Sequence, residues 1–196
     1  MKYITVGVIG AGAMGRGIAQ MAVQAGSTVL LFDTQAEATT AAVKSLQAQW
    51  ARLADKGRIS ADQVATYTAR LSSAESLATL APCDLVIEAV IERLDIKQSL
   101  FSQLEGIVAD TAVLATNTSS LSVTAIAAGL RHPGRFAGYH FFNPVPLMKV
   151  VEVIAGLKTE PAVCAALADY ARQFGHTPVQ AQDTPGFIVN HAGRGF

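Results

Sequence analysis

Charge is scarce in this sequence. Only 15% of its 196 residues are Asp, Glu, Lys or Arg, and fifteen acids balance fifteen bases, so the formal net charge is zero. That balance removes the basic face nucleic acid requires, and there is no acidic tail. Cysteine is scarcer still. Cys83 and Cys164 lie far apart, without Cys-x-x-Cys spacing or metal-ligand company, so neither a disulfide framework nor a thiolate metal site is expected. Cys164 falls on a helical stripe with Leu167, Ala168, Ala171 and Phe174, the place of a small core thiol. A reducing, cytoplasmic setting is the expectation. No stretch reaches the roughly eighteen consecutive apolar residues of a membrane span. Lys2, the apolar run after it and Ala11-Gly12-Ala13 imitate a signal peptide, but glycines interrupt the run. Against so little charge, 51% of the residues are hydrophobic. Surface to be covered by another domain or subunit explains that excess, and so do alanine-rich helices.

What the sequence does have is a glycine pattern in a definite setting. Val6 to Gly17 carries Gly10-x-Gly12-x-x-Gly15, with Ala13 and Met14 between the last two glycines, and the next apolar run, Thr28 to Phe32, closes on Asp33. Strand, glycine turn, helix, second strand and acid is the order required by a dinucleotide's pyrophosphate and adenosine ribose. Gly10 allows the tight turn, Gly12 the close approach of a phosphate, and Gly15 the packing of helix on strand. The N–H groups at the helix start favour the anion. Asp33 selects NAD: its carboxylate accepts ribose hydroxyls but repels the phosphate of NADP. Like charges about 4 Å apart at an effective dielectric near 20 repel by roughly 4 kcal/mol. Thr34-Gln35-Ala36 brings no arginine to offset this.

Strand and helix patterns alternate along most of the chain, which predicts an α/β, doubly wound, mostly parallel sheet covered on both faces. Helices are expected at Gly15 to Ala25, Leu94 to Val108 and Pro161 to Phe174, the last with Pro at its first position. The long run Ala36 to Asp55, a break at Gly57 and a second helix capped by Ser60 and reaching about Arg70 predict a projecting helical hairpin. Strands are expected at Leu85 to Val90, Thr111 to Thr116, Arg135 to Phe142, Leu147 to Ile154 and Thr177 to Gln180.

Oxidising an alcohol with NAD needs a group that takes the hydroxyl proton, and histidine titrates nearest to working pH. His132 and His176 sit in turn-like segments and His191 near the chain's end. His140 closes a β-run, where open α/β sheets place their ligands. Twelve residues on, Glu152 stands among valines in the following β-run, a costly place for a carboxylate without a partner. A hairpin around Asn143–Lys149 brings the two opposite each other on one face. The pair then serves either as a general base with its orienting carboxylate, as in Ser-His-Asp logic, or as a structural contact; the residues alone leave both open.

Five segments resemble, in order, the motifs of the L-3-hydroxyacyl-CoA dehydrogenases: Gly7 to Ile18, Val86-Ile-Glu-Ala-Val-Ile-Glu92, Asn117-Thr-Ser-Ser-Leu121, His140-Phe-Phe-Asn-Pro-Val-Pro-Leu-Met-Lys149 and Asp183-Thr-Pro-Gly-Phe-Ile-Val-Asn190. The resemblance implies that His140 is the general base, Glu152 its orienting carboxylate, Ser119 the serine bonding the substrate oxygen and Asn190 a substrate-positioning residue. Glu92, Lys97, Asn117, Ser119 and Asn143 are implied to join Gly10, Gly12, Ala13, Met14, Gly15 and Asp33 around NAD. Lys56, at the hairpin tip, is implied to meet the coenzyme A phosphates. Ser119 and Asn117 also suit the capping of a helix starting near Val123. Where many relatives continue with Arg, this chain has His191. The expected organisation is a Rossmann-type NAD-binding domain over 1–183, with the hairpin at about 36–70. Residues 184–196 would begin an all-helical C-terminal domain that is absent or truncated here and carries the homodimer interface. The activity implied is reversible, NAD-dependent oxidation of an L-3-hydroxyacyl-CoA to the 3-ketoacyl-CoA. Relatives that oxidise a free hydroxy acid such as L-gulonate, and NAD-binding crystallins without catalysis, share the pattern.

Overall fold

The computed structural model describes residues 3–184 and 186–188. Strands β1 (Thr5–Ile9), β2 (Thr28–Phe32), β3 (Leu71–Ser73), β4 (Leu85–Glu88), β5 (Val113–Thr116), β6 (Phe136–Phe141), β7 (Val150–Ala155) and β8 (Thr177–Gln182) form one sheet. Their order is β3-β2-β1-β4-β5-β6-β7-β8, parallel except for the β6–β7 pair. Helices α1 (Ala13–Gln24), α2 (Ala36–Asp55) and α6 (Pro161–Gln173) cover one face, α4 (Leu94–Glu105) and α5 (Val123–Ala127) the other, and α3 (Ala61–Ala69) pairs with α2. Alternation along the strands divides the core: Val6, Val8, Leu31 and Ile87 pack under α1 and α2, whereas Ile9, Val86, Leu114 and Phe136 pack under α4 and α5. This is the doubly wound arrangement expected from the alternating pattern.

The turn after β1 can be built only with glycines. Gly10 has φ +102°, and a Cβ there would lie 2.4 Å from the Ala89 carbonyl oxygen. A Cβ on Gly15 would lie 1.7 Å from the carbonyl oxygen of Gly10. Gly15 therefore lets α1 close onto its own loop, more than onto the strand.

Several boundaries differ from the sequence expectation for local reasons. The hairpin projects as expected, from a packed base: Thr39, Ala42, Leu46 and Trp50 of α2 are buried, α2 leans on α1, β2 and β3, and no residue of α3 is buried. Its tip is as expected, with Ser60 accepting from the Gln63 N–H at 3.1 Å and the Gln63 side chain accepting from the Ser60 N–H at 2.8 Å. β7 begins at Val150, not Leu147, because the N–H groups of Leu147 and Met148 both bond to the Pro144 carbonyl in a turn. β3 has only Leu71 buried, too short a signal for a periodicity argument. β8 lies at the sheet edge, where Pro178 is tolerated. Cys83 and Cys164 are buried thiols; burial, first, and the Asp84 charge push Cys83 up to about 12. Among the described residues no helix is long and apolar enough to cross a membrane, and no group of side chains could hold a metal.

Candidate active site

The antiparallel step between β6 and β7 sets His140 against Glu152 in register. By alternation both project toward α4 and α5, as do Glu88 and Thr116, which face each other across β4 and β5. Four polar side chains thus leave one face of the sheet at the carboxyl ends of its parallel strands, where α/β folds bind ligands.

His140 Nδ1 lies 2.7 Å from Glu152 Oε2, and the two residues are 6% and 0% exposed. A carboxylate accepts only, so Nδ1 carries the proton and Nε2 of the neutral ring holds the lone pair. Glu152 Oε1 accepts the Ile188 N–H at 2.9 Å. Phe142 and Phe187 flank the imidazole, with ring centroids at 4.5 and 5.8 Å. Phe187 has φ 50°, uncommon for a bulky side chain. That left-handed turn at the Asp183-to-Asn190 motif delivers both the aromatic ring and the Ile188 N–H to the pair.

His140 opens onto a cleft of about 290 Å³, shared with Met14, Glu92, Asn117, Ser119, Phe142 and Asn143. Asn117 Oδ1 accepts the Phe141 N–H at 2.8 Å, tying the end of β5 to β6 beside the imidazole. Glu92 Oε1 collects the Thr118 hydroxyl at 2.6 Å and the N–H groups of Ser119 and Ser120 at 2.7 and 3.2 Å. Burial pushes the Glu92 carboxyl up, but these bonds and the Lys97 charge outweigh it and hold it below the usual range. Ser119 is exposed at the cleft and does not cap α5. That cap is Ser122, joined by Asp183, whose carboxylate accepts the Val123 and Thr124 N–H groups at 2.8 Å each.

The expected cofactor contacts fall into three places. Gly10, Gly12, Ala13, Met14 and Gly15 form the turn and the first residues of α1, and Asp33 stands at the end of β2. Asp33 accepts the Ala11 N–H at 2.8 Å and the Gln35 N–H at 3.0 Å, so its charge is fixed beside the glycine loop. Glu92, Asn117, Ser119 and Asn143 line the cleft. Lys97 is different: it is 1% exposed, and its ammonium lies 2.5 Å from Glu88 and 3.2 Å from Glu92. The structure thus sets this expected cofactor contact behind Glu92, which it holds at the wall of the cleft.

Lys56 stands exposed at the hairpin tip and lines no part of the cleft. Asn190 and His191 lie outside the described residues, as do 185 and 189–196 of the expected helical start over 184–196, while residues 186–188 form a turn. His132 is exposed, as a turn histidine should be. His176 is buried and donates from Nε2 to the Val145 carbonyl at 2.9 Å, anchoring the Asn143–Lys149 loop; burial holds its pKa down despite that bond. Sequence reasoning missed Glu88, Thr116, Phe187 and the Ile188 N–H. Only Glu88 left a signal, a carboxylate in an apolar run like Glu152.

The glycine loop fits a dinucleotide pyrophosphate. A Cβ on Gly12 would meet nothing within 4 Å, and α1 begins with no side-chain cap and no acid in its first turn. Its leading N–H groups and the positive end of the helix dipole face open space that suits an anion.

Fold, loop and His–Glu pair together define a dinucleotide-binding domain of the dehydrogenase type. Residues 5–184 match the family described as 3-hydroxyacyl-CoA dehydrogenase, NAD binding domain. The chain belongs to that family, and its cofactor is NAD. It is 45% identical over 192 residues to the 3-hydroxyadipyl-CoA dehydrogenase of Escherichia coli, covering 98% of this chain and 40% of that protein. It is 41% identical to a probable 3-hydroxybutyryl-CoA dehydrogenase of Deinococcus radiodurans, over 97% of this chain and 67% of that one. A crystal structure of 3-hydroxybutyryl-CoA dehydrogenase from Escherichia coli K12 superposes with a TM-score of 0.96 at 44% identity, covering 99% of this chain and 41% of that chain. The chain therefore spans between two fifths and two thirds of the length of these relatives.

Proposed function

We propose that the protein catalyses the reversible oxidation of an L-3-hydroxyacyl-CoA to the 3-ketoacyl-CoA. The observation that carries this reading is the 2.7 Å contact between His140 Nδ1 and Glu152 at the wall of the cleft. NAD, when bound, supplies the acceptor for the hydride leaving C3. His140 Nε2 takes the hydroxyl proton, and the buried Glu152 carboxylate holds the ring in that tautomer and stabilises the imidazolium. Ser119 donates its hydroxyl to the substrate oxygen, and Asn190 positions the substrate, as the family resemblance implies. Lys56, with Arg58 nearby on the hairpin tip, supplies positive charge for the coenzyme A phosphates. A homodimer, assembled through a C-terminal helical domain, and a cytoplasmic location complete the reading; the reduced, buried Cys83 and Cys164 suit the latter.

The test is a substrate comparison in the full-length protein carrying this chain. With NADH, acetoacetyl-CoA should be reduced with kcat/KM about 100-fold or more above free acetoacetate, because remote coenzyme A contacts lower the barrier as well as binding. Equal use of the free acid would overturn the substrate assignment.

A further inference from the structure

Glu88 has no place in the chemistry described above, yet it is fully buried at the end of β4. Its carboxylate accepts the Val90 N–H at 2.7 Å, the Thr116 hydroxyl at 2.6 Å and the Lys97 ammonium at 2.5 Å. Lys97 turns its other side to Glu92 at 3.2 Å, and Glu92 lines the cleft with Ser119 and His140. Two carboxylates thus share one ammonium, leaving one negative charge in excess. Lys97 alone would neutralise Glu92; Glu88 restores the charge. Glu88 and Thr116 sit in one rank across β4 and β5, and that rank continues to Gly138 of β6. His140 is two residues further along β6 on the same face, about 7 Å. The excess charge therefore lies close to where hydride transfer would occur.

We propose that Glu88 is a positioning residue that, through Lys97 and Glu92, biases the cleft toward the oxidised cofactor. The inference rests on the reading of this cleft as the nicotinamide site. The oxidised nicotinamide ring carries a positive charge and the reduced ring none, so a negative cluster stabilises the first selectively. One unit charge about 10 Å away at an effective dielectric near 20 amounts to about tenfold in affinity. Removing Glu88 while keeping Lys97 cancels the excess, and removing Lys97 while keeping Glu88 doubles it. Removing both returns the cluster to the single charge of Glu92. Replacing a buried pair together by uncharged residues is also the gentlest change for folding.

The experiment measures NADH binding to this chain by fluorescence and NAD+ binding by displacement of NADH. It uses the unaltered protein, Glu88→Gln, Lys97→Met and the double variant. The ratio of the NAD+ to the NADH dissociation constant should rise about tenfold in Glu88→Gln and fall about tenfold in Lys97→Met. In the double variant it should return to within about threefold of the original. A merely structural cluster would shift both constants together, and an unchanged ratio in the variants that fold would overturn the proposal. If Glu88→Gln fails to fold, a ratio that falls in Lys97→Met and is restored in the double variant decides the matter. Failure of the unaltered chain to bind NADH at all would instead remove the cofactor reading beneath it.

Discussion

Glu152→Gln should lower kcat for L-3-hydroxybutyryl-CoA oxidation in the full-length protein by about 10²- to 10⁴-fold, with NADH affinity held within about threefold. The amide matches the carboxylate in shape and can still accept a bond from the Ile188 N–H, so little is asked of the fold. What disappears is charge. Glu152 is 0% exposed and 2.7 Å from His140 Nδ1, and water cannot substitute for it there. An amide NH₂ presented to Nδ1 would favour the other tautomer, with the proton on Nε2, where it cannot accept one from substrate. The imidazolium would also lose its counter-charge. Steady-state kinetics beside an NADH titration separates these effects. Equal losses in turnover and cofactor affinity would show that the pair only holds β6 to β7.

Cofactor choice should show the second large effect, with NADPH binding about 10³-fold more weakly than NADH. The cause is the fixed position of Asp33. The Ala11 and Gln35 N–H groups pin its two oxygens at 2.8 and 3.0 Å, so the carboxylate cannot swing from a 2′-phosphate. Repulsion of roughly 4 kcal/mol at contact distance corresponds to about three powers of ten. Asp33→Ser should shrink the preference to about tenfold or less, chiefly by improving NADPH binding. The measurement is a pair of fluorescence titrations on each protein. A preference below about tenfold in the unaltered chain would contradict the role given to Asp33.

Much of the fold was readable because its signals are local. The β1 turn announces itself in Gly10 and Gly15, whose missing side chains the structure shows to be obligatory. Ser60 and Gln63 spell a capping box, and Pro161 marks the start of α6. The His140–Glu152 pair was legible for another reason. A carboxylate among valines needs a partner, and a short hairpin leaves few candidates. Contacts between distant segments left less trace. Ile188 reaches Glu152 from 36 residues away, and Phe187 reaches His140, by way of a left-handed turn that no periodicity encodes. The burial of Lys97 depends on Glu88 and Glu92 converging from β4 and its loop, which the sequence of its own helix does not announce. The start of β7 was missed because the Pro144 carbonyl captures two N–H groups in a turn, against the extended preference of Leu147 and Met148.

A crystal structure of this chain with NAD bound tests the central claim most directly. The nicotinamide ring should enter the cleft beside Ser119, with its reactive face toward His140 Nε2 and with Nδ1 still bonded to Glu152. A ring seated elsewhere, or an imidazole turned from Glu152 when the cofactor is present, would contradict the account.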